Sequence, residues 1–140
     1  MNKNRVFLGG TCNETTWRKE IEDNVTGVEL FNPVVEDWTA ECQAIEIDEK
    51  ENKCDVHLYV ITKEMKGVFS IAEAVDSVHN KDVTTIFQVI PDGFEEFQYR
   101  SLSAVVELVR SRGGIAFMDN SLQPTIDILN NSVKHFNEKI

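Results

Sequence analysis

Asp55-Val56-His57-Leu58-Tyr59-Val60-Ile61-Thr62 decides the fold. Val56–Ile61 is a near-continuous apolar run with polar residues on both sides. A strand that alternates polar and apolar residues has one face in water; a continuous run has both faces covered. This run therefore reads as the central strand of a parallel sheet. Val83–Val89, closed by Pro91-Asp92-Gly93, has the same character. Shorter β-rich runs stand at Arg5–Leu8, Val28–Phe31 and Ile115–Met118. Asn32-Pro33 stops the second, because proline cannot donate to a ladder.

Helical patterns fill the spaces between these runs. They cover Thr15–Asn24, Thr39 to Lys53, Ser70–Asn80, Glu95–Arg112 and Thr125–Glu138. Leu102, Val105, Val106 and Val109 recur at helical spacing, and Gly113-Gly114 caps that helix. The order β-α-β-α-β-α-β-α-β-α predicts an α/β domain with helices on both faces of a parallel sheet. With no repeat and no linker, residues 1–140 read as one domain.

Composition excludes several partners. The chain carries 14 Lys+Arg against 24 Asp+Glu, a formal charge of −10. Nucleic-acid polymers and anionic membranes call for a basic footprint. No apolar run approaches the length of a membrane span. Cys12, Cys42 and Cys54 form neither an even set nor a CxxC pair, which points to reduced thiols in a cytoplasmic setting. The His, Cys and acidic residues show no metal-ligand spacing, so no metal or cofactor is expected.

In open α/β sheets ligands bind beyond the carboxyl ends of the strands. That rule selects Gly9–Asn13, Asn32–Trp38, Thr62–Ser70, Pro91–Phe94 and Asp119–Ser121. Gly9-Gly10-Thr11 precedes a helix, where backbone N–H groups can meet an oxygen or a phosphate. It is neither a GxGxxG nor a Walker loop. Arg18 offers a fork of donors to a carboxylate or phosphate. Asn32 can donate and accept, or shape a turn. Trp38 can stack on a planar group, or cover the core. Ser70-Ile71-Ala72-Glu73 has two readings. It fits a helix capping box, and it fits a carboxylate nucleophile set one turn into a helix at the cleft. His57 reads as structural. Glu46, Asp48 and Glu49 lie in an acidic helix, and one of them could point across to a sugar hydroxyl or a base nitrogen.

Together these blocks resemble the nucleoside 2-deoxyribosyltransferase-like family. The resemblance is carried by Val6–Thr11, Thr16-Trp17-Arg18, Phe31–Val35 with Trp38, Asp55–Thr62 and Gly67–Ala74. It implies a Rossmann-like (flavodoxin-like) three-layer sandwich with a five-stranded parallel sheet. It also implies cleavage of the N-glycosidic bond of 2′-deoxynucleosides or their monophosphates. Glu73 takes the place of the nucleophile and Ser70 that of the Ser/Thr three residues before it. Gly9, Gly10 and Thr11 fall on the sugar or 5′ pocket, and Asn32 and Trp38 on the base pocket. An acid in the helix before the central strand is implied as proton shuttle, with Asp48 and Glu49 nearest. Well-studied transferases carry a second acid just before the nucleophile; this chain has Lys66 and Gly67 there. Relatives complete their sites with a neighbouring subunit, so a homo-oligomer is expected, with its interface around Leu102–Val109.

Overall fold

The structure, a computed structural model, describes residues 5–12, 15–35 and 37–138, with side chains as far as residue 131. Asn13 and Glu36 lie outside the described residues. Five strands form one sheet: β1 (Arg5–Gly10), β2 (Glu29–Phe31), β3 (Val56–Ile61), β4 (Thr84–Val89) and β5 (Ile115–Met118). Every pairing is parallel and the order is β2-β1-β3-β4-β5. The connecting helices are α1 (Trp17–Asn24), α2 (Ala40–Asp48), α3 (Phe69–Val78), α4 (Glu96–Ser111) and α5 (Gln123–Glu138).

The predicted three-layer α/β sandwich is observed. On one face Trp17 and Ile21 of α1 meet Val6, Leu8, Leu58 and Val60, joined by Ile126 and Leu129 of α5. On the other face Ala74 and Val78 of α3 and Leu102, Val106 and Val109 of α4 cover Phe7, Tyr59, Phe87 and Val89. Both faces of β3 are thus buried, as its continuous apolar run requires. Leu102, Val106 and Val109 are core residues and do not form an exposed interface. The large exposed apolar side chains include Trp38, Ile45, Ile47, Val68 and Phe69 instead.

Two local departures from expectation matter for the site. First, β1 runs through Gly9 and Gly10, so these glycines are strand residues, not a loop. Second, the predicted Thr39–Lys53 helix is interrupted. It becomes α2 and then a π-helical turn at Glu49–Lys53, in which the Cys54 N–H donates to the Glu49 carbonyl at 2.8 Å. No residue of α2 is buried. Among the described residues no helix is long and apolar enough to cross a membrane.

Candidate active site

Strand order reverses between β1 and β3, and the carboxyl ends of these two strands meet there. This is the switch point at which such sheets bind ligands. A Cβ on Gly9 would lie 2.6 Å from the Tyr59 ring, and one on Gly10 would lie 2.2 Å from the Val60 carbonyl oxygen. Gly10 also has φ +111°, a conformation open to glycine. The two glycines therefore let β1 press against β3. The zipper continues past the strand. The Thr11 N–H donates to the Val60 carbonyl at 2.9 Å, and the Thr62 N–H donates to Thr11 Oγ1 at 3.0 Å.

Arg18 is held in the same place. Its guanidinium donates to the carbonyls of Leu8 at 3.1 Å, Thr11 at 2.7 Å and Gly10 at 3.3 Å, and it stacks on Trp17 at 4.3 Å. Trp17 Nε1 donates to the Thr11 carbonyl at 2.9 Å. Burial lowers the Arg18 pKa, opposed by Cys12 and by more distant acids. The fork expected to meet a ligand is thus engaged by the chain's own carbonyls.

Glu73 lies in the second turn of α3. That helix starts one residue before the expected Ser70, with Val68 as N-cap and no side-chain cap hydrogen bond. The capping-box register is therefore lost. Glu73 turns instead towards the π-helical turn, where Lys50 Nζ donates to its Oε2 at 2.8 Å; the two side chains are 17% and 10% exposed. Glu46 of α2 shares this surrounding. Partial desolvation of this half-buried side chain raises its carboxyl pKa first, and the Glu73 charge adds to the rise, while Lys50 and Arg18 pull it back.

The π-helical turn directs its acids and its lysine differently. Glu49 is buried and receives Arg5 Nε at 3.0 and 3.1 Å on its two oxygens, at the start of β1. That salt bridge raises the Arg5 pKa. Glu49 is a structural partner there and does not meet Glu73. His57 of β3 fixes the turn from below: its Nε2 lies 2.8 Å from the Lys50 carbonyl and its Nδ1 2.8 Å from Ser77 Oγ. A carbonyl only accepts, so Nε2 carries the proton and Nδ1 accepts from Ser77. Burial lowers the His57 pKa.

A groove of about 270 Å³ opens beside this cluster, with Lys50, His57, Tyr59, Glu73, Asp76 and Ser77 on its walls. A second crevice of about 210 Å³ lies at the carboxyl ends of the strands. It gathers Thr62, Lys63, Asp92 and Ser121 from the segments that the strand-end rule selects, with Thr16 beside them.

The remaining expected residues are more scattered. Asn32 Oδ1 accepts from the Val34 N–H at 2.9 Å, which is the turn-forming arrangement. Trp38 is 54% exposed, and a Cβ on Gly67 would meet nothing. Ser70 is half-buried at the start of α3. Lys50 carried no signal in the sequence; it is one lysine in a solvated-looking acidic run. Among the described residues, no group of three or more His, Cys, Asp or Glu side chains could hold a metal ion.

A five-stranded parallel sheet in the order β2-β1-β3-β4-β5, covered by helices on both faces, defines an α/β protein of flavodoxin-like topology. The chain belongs to the nucleoside 2-deoxyribosyltransferase-like family, whose model matches residues 3–92. That places it with proteins of glycosyltransferase type. Neither curated proteins nor solved structures give a significant match.

Proposed function

We propose that this chain cleaves the N-glycosidic bond of 2′-deoxynucleosides or their monophosphates. Glu73 Oε attacks C1′ as the C1′–N bond breaks, and Glu46 gives its proton to the departing base nitrogen. Water or a second base then attacks C1′ and releases Glu73, and the proton of the incoming group returns to Glu46. One carboxylate acts as nucleophile and one as acid, a division that differing environments make possible. The observation that supports this reading is the Lys50–Glu73 ion pair, with Glu46 near enough for the Glu73 charge to act on it. A cation rests on one carboxylate, and the other is pushed towards its protonated form. The charge of −10 favours neutral nucleosides over monophosphates.

The test is base release from several deoxynucleosides and deoxynucleotides, with and without an acceptor base. Glu73→Ala is expected to abolish release. Release only with an acceptor identifies a transferase, and release into water an N-glycosidase. The Lys50–Glu73 ion pair favours one second reading, a non-catalytic nucleotide-binding or sensing protein in which Glu73 is spent on Lys50. Tight binding without turnover, unchanged in Glu73→Gln, would establish it.

A cytoplasmic homo-oligomer belongs to the same proposal. Cys12, Cys42 and Cys54 are free. Val68 and Phe69, 67% and 73% exposed, flank the site as apolar surface for a second copy. Light scattering of wild type and Phe69→Asp tests this; an unchanged mass would remove Phe69 from the interface.

A further inference from the structure

Tyr59 stands in the middle of β3, and nothing above uses its hydroxyl. The residue is fully buried. Its Oη is the one buried side-chain polar atom without a hydrogen-bond partner among the described residues. A buried donor left unpaired destabilises the free protein. The ring is held firmly. It packs over the Gly9 backbone, where a Cβ would come within 2.6 Å. It also meets His57 edge-on, with centroids 6.4 Å apart at 88°.

Ser77 lies close enough to draw the phenol pKa down a little, without reaching hydrogen-bond geometry to Oη. Ser77 Oγ gives its proton to His57 Nδ1 and lies 2.8 Å from Thr85 Oγ1, whose hydroxyl donates in turn. The Tyr59 side chain lines the groove that it shares with Glu73, Lys50 and Asp76. Burial, and then the Glu73 charge, push its phenol pKa up, so it remains a donor at neutral pH. A groove whose carboxylates can accept and whose tyrosine can donate suits a hydroxylated ligand. The carboxylates accept from its hydroxyls, and one of its oxygens accepts from tyrosine.

We infer that the Tyr59 hydroxyl donates a hydrogen bond to a sugar oxygen of the ligand bound beside Glu73. This rests on the nucleoside reading and adds a binding residue to it. Tyr59→Phe removes the hydroxyl and keeps the ring. The thermal midpoint of the free protein is expected to stay level or rise, because no internal bond is lost. For 2′-deoxyadenosine, kcat/KM is expected to fall about tenfold, equivalent to about 1.4 kcal/mol. An unchanged kcat/KM with active wild type overturns this inference alone. A midpoint lowered by about 4 °C or more also overturns it, since an internal bond would then have been lost. If wild type releases no base from any deoxynucleoside, the nucleoside reading itself fails, and this inference fails with it.

Discussion

Replacing Arg18 separates a structural clamp from a ligand-binding residue. In Arg18→Met the carbonyls of Leu8, Gly10 and Thr11 lose a charged donor, while Thr11 keeps the Trp17 indole. Two carbonyls left short at about 1–3 kcal/mol each give a loss of about 2–6 kcal/mol. Loss of the stack on Trp17 adds about 0.5–1 kcal/mol. Relief of a buried guanidinium's desolvation returns part of this. The net expectation is about 3 kcal/mol, a large share of the roughly 5–15 kcal/mol that holds an ordinary domain. Lysine reaches fewer carbonyls than the fork does, so Arg18→Lys should fall between wild type and Arg18→Met. Urea unfolding gives the difference directly, and titration with 2′-deoxyadenosine reports ligand binding on the same samples. The reasoning fails if Arg18→Met costs less than about 1 kcal/mol while nucleoside binding collapses. Arg18 would then be the ligand's partner that its residue type suggested.

Three further outcomes follow from the same geometry. Glu49→Gln should destabilise the fold by about 1–3 kcal/mol, because it unpairs a charge-assisted contact to Arg5; urea melts will read this, and KM for a deoxynucleoside should stay unchanged. His57 has a folded pKa below its unfolded value, so its contribution is present above about pH 6.5 and lost as pH falls through the folded pKa, with a slope of at most about 1.4 kcal/mol per pH unit. Stability curves between pH 7 and 5 should therefore be flatter for His57→Gln than for wild type. Glu46 has a raised pKa, so base release should fall on the alkaline side as its proton is lost; Glu46→Gln should lower kcat by about 100-fold or more and remove that limb, and an unchanged pH profile would take Glu46 out of the proton path.

The sheet was legible because burial on both faces writes itself into sequence. Val56–Ile61 is a near-continuous apolar run, Thr84–Val89 is buried over all but its first residue, and helical periodicity fills the gaps. The site was less legible because its parts depend on register and on backbone partners. Gly9 and Gly10 read as a turn, yet they extend β1, since what they accommodate is the Tyr59 ring and the Val60 backbone of the next strand. Arg18 reads as a free fork, but its acceptors are main-chain carbonyls that no side-chain pattern announces. Ser70-Ile71-Ala72-Glu73 matches a capping box, but α3 begins at Phe69, so Ser70 already lies inside the helix.

The acidic helix shows most clearly why the proton donor could not be chosen from sequence. In a continuous α-helix, residues three and four apart share a face, and Glu46, Glu49 and Lys50 would stand together. Glu49 is still bonded back to the Ile45 carbonyl, and the π-helical turn opens from it over Glu49–Lys53. Glu49 then goes to Arg5 at the start of β1, Lys50 goes to Glu73, and Glu46 remains as the acid beside the candidate nucleophile. π-turns frequently mark functional sites, and this one carries both the acid that pairs with Arg5 and the lysine that holds Glu73. His57, bonded to the Lys50 carbonyl, is what holds that turn against β3.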